Sequence, residues 1–335
     1  MDTSELRARR EEARARRRRV ARRRSALAVL VTLAAMTVIV LALSSGGGGQ
    51  TPPAKHAQVA TTRGGRAASA KSSAASHVLT TGGVISTVSP TARGGAPGTT
   101  PVPVLMYHVI AAPPPGAPYP GLYVPASEFA AQMQALKADG WHAVTLDQLE
   151  AYWTRGVSLG PGKPIVLTFD NGYHSQYTEA FPILRRLGWV GNENMQLTGL
   201  PPSQGGLTDA QIRAMVAGGW ELDTQGISHA DLVTLDASEL YDQVAVARRT
   251  IQRRFHVPVN WFCYPSGDYD ATVIAAVRAA GFVGSTTVVP GWAHPSDDPY
   301  VLHRLRVLGG TTPAGLLDQI GSTQNDPPPP LSYTA

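Results

Sequence analysis

Residues 164–189 read PIVLTFDNGYHSQYTEAFPILRRLGW, and this stretch decides the fold. Pro164 to Phe169 is an apolar, β-branched run of the length of a buried strand. It closes on Asp170. Gly172 then permits a tight turn. Thr178 to Leu187 follows as a helix, which Gly188 ends. A buried strand running straight into a helix is a parallel βα unit.

The same alternation recurs on both sides. Pro103 to His108 reads as a buried strand. A helix begins at Ser127 with Phe129, Met133 and Leu136 at helical spacing, and Gly140 ends it. His142–Leu146 reads as a strand, with Asp147 capping the next helix. Thr208 caps a helix to Val216, and Trp220–Asp223 follows as a strand. Ser238–Phe255 is a long helix, Asn260–Tyr264 a strand, and Asp270–Ala280 a helix. Phe282–Thr286 and His303–Val307 are strands, and Pro313–Ile320 is the last helix. Strands alternating with helices predict an α/β fold, a closed or nearly closed (β/α) barrel. Chemistry in such barrels sits at the C-terminal ends of the strands. That places His108, Asp170, the 223–229 turn and Tyr264–Gly267 on one rim.

The ends of the chain are of another kind. Residues 1–24 hold eleven Arg against four acidic residues, whereas the rest carries 18 basic and 20 acidic groups. The high pI is therefore local and gives no argument for nucleic-acid binding by the domain. Residues 25–44, SALAVLVTLAAMTVIVLALS, carry no charge. About 20 such residues span a hydrocarbon core of roughly 30 Å. The Arg cluster precedes them, so it stays cytoplasmic and the rest is exported. The expectation is a basic tail at 1–24 and a transmembrane signal anchor at 25–44. A signal peptide cleaved near Ala42-Leu43-Ser44 is the alternative. Residues 45–100, rich in Gly, Ser, Thr, Ala and Pro, read as a flexible linker. A folded domain is expected over 101–321, and a Pro-rich tail that is disordered or polyproline II over 322–335. Cys263 is the single cysteine, so no disulfide forms within the chain.

From Val102 to Ile320 the sequence resembles the polysaccharide deacetylase family (carbohydrate esterase family 4). The resemblance rests on VLMYHVI at 104–110, on 164–189, and on LTDAQIRAMVAGGWELDTQGISHADL at 207–232. FCYPSGDYD at 262–270 and RLRVLGG at 304–310 complete it. It implies a deformed (β/α) barrel that removes acetyl groups from sugars with a divalent metal, commonly zinc. It implies Asp170 as catalytic base, and His108 as general acid, as in the branch with a Tyr-His motif at the domain start. The family's metal-ligand positions fall on Asn171, Gln225 and His229. Its oxyanion and substrate-groove loop falls on Tyr264, Pro265, Ser266 and Gly267, with Ser266 where an aromatic is usual. The implied partner is an N-acetylated polysaccharide of the cell envelope.

Two of the three ligand positions thus hold amides, which are neutral and weaker donors than a carboxylate or an imidazole. Three accounts follow. One is a rearranged metal site helped by Asp223 or His174. Another is a glycan-binding relative without catalysis. The third is a metal-free hydrolase using Asp170 and His108. Taken singly, the residues have plainer readings too. His108 on an apolar strand reads as a core histidine, His229 as a turn residue, Asp170 as a helix cap, and Cys263 as inert packing. No Gly-x-Ser-x-Gly elbow is present, which argues against a serine nucleophile.

Overall fold

The computed structural model describes residues 95–200 and 205–334. The expected basic tail, anchor and nearly all of the linker lie outside the described residues. Among the described residues no helix is long and apolar enough to cross a membrane.

The strands are β1 (Val104–Tyr107), β2 (Trp141–Val144), β3 (Lys163–Asn171), β4 (Asn192–Met195), β5 (Glu221–Thr224), β6 (Trp261–Cys263), β7 (Gly284–Thr286) and β8 (Leu305–Arg306). They form one sheet in the order β7-β6-β5-β4-β3-β1-β8, with β2 also on β3, and every ladder is parallel. β3 is the hub. β2 and β4 take successive stretches of it, at Lys163–Val166 and Thr168–Asn171. Asn192 bridges the handover, accepting from Leu146 N and donating to Leu167 O. The sheet closes through one segment. Leu302 pairs with Thr286 beyond β7, and β8 pairs with β1. The expected (β/α) barrel is present.

Helices cover its outside: α1 (Ala126–Ala138), α2 (Leu146–Arg155), α3 (Phe181–Leu187), α4 (Asp209–Ala217), α5 (Ala237–Tyr241), α6 (Ala247–Phe255), α7 (Ala271–Ala279) and α8 (Pro313–Ser322). Their starts are chemically marked. Thr145 and Gln148, Thr208 and Gln211, and Asp236 and Glu239 form capping boxes, each cap worth about 1 kcal/mol. The α2 cap is thus Thr145. Asp147 instead accepts from Asn260 Nδ2 and Trp261 Nε1, tying α2 to β6. The helix read as Ser238–Phe255 runs unbroken through a π-turn at Asp242–Val246.

Strand alternation sorts the core. Leu105, Tyr107, Leu167, Phe169 and Leu305 point outward beneath the helices. Phe169 lies against Tyr107, Phe129 and Trp220, with ring centroids 4.8–5.9 Å apart. Gly191 lets this cluster close, since a Cβ there would lie 2.9 Å from both Phe169 and Trp220. The alternate residues line the barrel interior, and many are polar: Thr168, Asn194, Asp223 and Arg304 are at most 1% exposed.

The tail departs from expectation. His303 Nε2 meets Pro327 O at 2.9 Å, and Tyr269 Oη donates to Pro330 O at 2.7 Å. Tyr269 and Tyr333 exchange backbone hydrogen bonds and stack their rings. Tyr269 and His303 thus hold the segment, and its own Tyr333 packs back against Tyr269.

Candidate active site

β3 delivers Asp170 to the barrel mouth 1% exposed, with both carboxylate oxygens engaged. Arg304 donates Nη1 to Oδ1 at 2.7 Å and Nη2 to Oδ2 at 2.9 Å. Asn194 on β4 donates to Oδ1 at 2.9 Å, and the Cys263 thiol on β6 lies 3.5 Å from Oδ2. Arg304 is itself saturated. It also donates to Thr287 O, Thr168 Oγ1 and Cys263 Sγ. Burial alone would raise the Asp170 carboxyl, but the Arg304 guanidinium, then His108, outweigh it and hold it at about 2.

His108, just past β1, sets Nε2 3.9 Å from Asp170 Oδ2, beyond hydrogen-bond range. Its side chain is 12% exposed, and Nδ1 is buried without a partner. Burial pushes the imidazole down to about 4. Asp170 pulls it upward against Arg304, Arg306 and His229. His108 is therefore neutral near pH 7, beside a fixed anion.

The expected ligand positions are arranged differently. Asn171 adopts φ 82° and donates Nδ2 to Gln196 Oε1 at 2.7 Å. Gln225 is 2% exposed, and its Oε1 has no donor. His229, at φ 50°, is partly buried, and burial lowers its pKa.

The comparisons with known proteins meet this geometry. Residues 159–285 match the family model described as "Polysaccharide deacetylase". That match spans 127 of the 335 residues and marks their similarity to a polysaccharide deacetylase domain. The chain is 28% identical over 209 residues, 62% of this chain and 72% of the relative, to the Bacillus subtilis protein named "Putative polysaccharide deacetylase YxkH". A shorter match, 41% over 58 residues, links 17% of this chain to 8% of the poly-β-1,6-N-acetyl-D-glucosamine N-deacetylase of Escherichia coli K12. The fold matches the Streptococcus pyogenes deacetylase PplD in complex with acetate at TM-score 0.61 and 24% identity. That match covers 66% of this chain and 99% of the other. These similarities support a hydrolase that acts on carbon–nitrogen bonds.

The metal implied by the family does not fit the donors present. One imidazole, one amide committed to Gln196, and one neutral amide oxygen do not equal the three protein ligands of a catalytic zinc. Among the described residues no three His, Cys, Asp or Glu side chains gather as a metal site. The two suggested helpers are engaged elsewhere. Asp223 Oδ1 accepts from Asn260 N and Trp261 N, and His174 Nδ1 pairs with Gln211 on α4.

The expected groove loop is mostly self-contained. Tyr264 is fully buried, its hydroxyl donating to Tyr300 O. Tyr264 N–H is taken by Thr286 O, Gly267 N–H by Tyr264 O, and Asp268 N–H by Pro265 O. Pro265 has no N–H, so Ser266, exposed and at φ 57°, is the turn residue whose N–H no backbone carbonyl of the turn takes. Sequence reasoning missed Arg304 and Asn194. The signal for Arg304 was available: in Arg304-Leu305-Arg306-Val307 the arginines share one strand face. β4 gave none, because Asn192-Glu193-Asn194-Met195 is polar yet wholly buried.

Proposed function

We propose that the domain is an extracytoplasmic deacetylase-like hydrolase that removes acetyl groups from an N-acetylated envelope glycan. The observation that carries this reading is a neutral His108 3.9 Å from the fixed Asp170 anion at the barrel mouth. Asp170, held at about 2 and hydrogen-bonded at both oxygens, is a weak proton acceptor. Proton transfer therefore falls to His108. Its imidazole takes a proton from the water that attacks the acetamide carbonyl, and the Asp170 charge stabilises the imidazolium formed. The same proton then goes to the departing amine. The Ser266 N–H faces the developing oxyanion, and Gln225 Oε1 accepts from the acetamide N–H. The uncharged run at 25–44 behind an Arg-rich tail supports a membrane anchor with the domain outside.

Acetate release from N-acetylglucosamine oligosaccharides and from peptidoglycan tests this. His108→Gln should lower the rate about 10²–10⁴-fold. No acetate above that of the Asp170→Asn chain would sink hydrolysis. A second reading has its own support. The saturated Asp170 and the amide-substituted ligand positions suit a domain that binds glycan without cleaving it. Calorimetric binding of the same oligosaccharides without acetate release would establish that reading.

A further inference from the structure

We infer that Arg306 makes the barrel mouth select a glycan that carries a carboxylate beside its N-acetylated sugar. The inference rests on the glycan reading above. Alternation along the closing strand places the residue. Arg304 points into the barrel to Asp170, Leu305 and Val307 join the core beneath the helices, and Arg306 returns to the inner face. Arg306 sits opposite Met106 on β1. His108 lies two residues further along that chain, on the same side. The Arg306 charge is among those that act on His108.

Unlike its neighbour, Arg306 is exposed. Among the described residues no carboxylate pairs with its guanidinium. The local charge is therefore unbalanced. Asp170 is paired with Arg304. One guanidinium remains at the mouth. A neutral chain of N-acetylated sugars offers such a cation no counter-charge. A lactyl ether or uronic acid group offers a planar pair of oxygens that matches the guanidinium fork.

The experiment uses the full chain in detergent and two saccharides of equal length. One is N-acetylglucosamine tetrasaccharide. The other is the alternating N-acetylglucosamine–N-acetylmuramic acid tetrasaccharide, which bears carboxylates. Titration calorimetry should show the second binding about 10-fold more tightly, with the preference shrinking at high salt. Arg306→Gln should abolish the preference while keeping the affinity for the neutral saccharide, and Arg306→Lys should restore part of it. Because the side chain is exposed, both variants should melt with the unsubstituted protein. Equal binding of the two saccharides, or a preference that survives in Arg306→Gln, overturns the inference alone. Binding of neither saccharide overturns it together with the glycan reading.

Discussion

Replacing Arg304 by Met should be among the most damaging single substitutions in the domain, although it adds no bulk. The side chain is 1% exposed and its partner Asp170 equally so. Met fills most of the volume but supplies no donor. Asp170 would keep Asn194 and the Cys263 thiol and lose two charge-assisted bonds of 2.7 and 2.9 Å. Thr287 O and Thr168 Oγ1 would each lose a donor. Breaking one side of a buried pair typically costs about 3–5 kcal/mol, because the remaining charge is left uncompensated. For a domain of this size that corresponds to roughly 8–15 °C in Tm. Asp170→Asn should cost a similar amount by stranding the guanidinium. The double variant should be less destabilised than the sum of the singles by at least about 2 kcal/mol. Urea denaturation of the four chains at pH 7 measures the cycle. An Arg304→Met chain within about 1 kcal/mol of the unsubstituted protein, or an additive cycle, would refute the view that this pair organises the mouth.

Protonation of His108 should withdraw stability from the domain well above the pH at which Asp170 titrates. The pKa of His108 falls from the ordinary 6.5 to about 4 on folding. Its contribution is therefore full above pH 6.5 and is lost as pH drops to 4, to a total of about 3 kcal/mol. His108→Gln should flatten the stability profile in that window, and an unchanged slope would show that His108 is not buried neutral. Asp170 adds a second loss only below its ordinary 3.8, towards about 2. Asn171→Asp with Gln225→His should create sub-micromolar zinc binding in a chain that otherwise binds none by calorimetry. Tight zinc binding before substitution would show that the family's ligand positions do not apply here. Deleting residues 323–335 should lower Tm by several degrees, since it uncovers His303 and Tyr269; an unaltered melting curve would show that the tail merely rests on the barrel.

What the sequence made legible was the scaffold. β1 and β3 announce themselves because a strand buried on both faces must be apolar or β-branched almost throughout, and the rim follows from barrel geometry. β4 did not announce itself. Its Asn192 and Asn194 look like loop residues, and what makes them strand residues is the set of long-range partners at Leu146, Leu167 and Asp170. Glu193 is harder still. It is 2% exposed with both oxygens unpaired, and burial together with Asp170 raises its pKa well above the carboxylate range. A neutral acid of this kind leaves no local pattern. The tail's contacts are likewise long-range, made with Tyr269 and His303 from the segment's own Tyr333, Pro330 and Pro327.

The ligand positions hold Asn171 and Gln225, and the positive charge beside Asp170 is the Arg304 guanidinium. Asp170 is thereby compensated, and Asn171 is paired with Gln196. Of the residues at the ligand positions, Gln225 keeps a buried side-chain oxygen without a donor. A buried acceptor left open costs roughly 1–3 kcal/mol, so a ligand that supplies an N–H there recovers that amount on binding. An acetamido group is such a ligand. Gln225→Leu should therefore stabilise the free chain slightly and weaken binding of N-acetylated saccharides several-fold, while binding of their de-acetylated counterparts stays unchanged. Parallel loss for both saccharides would show that Gln225 supports the mouth without reading the acetamide.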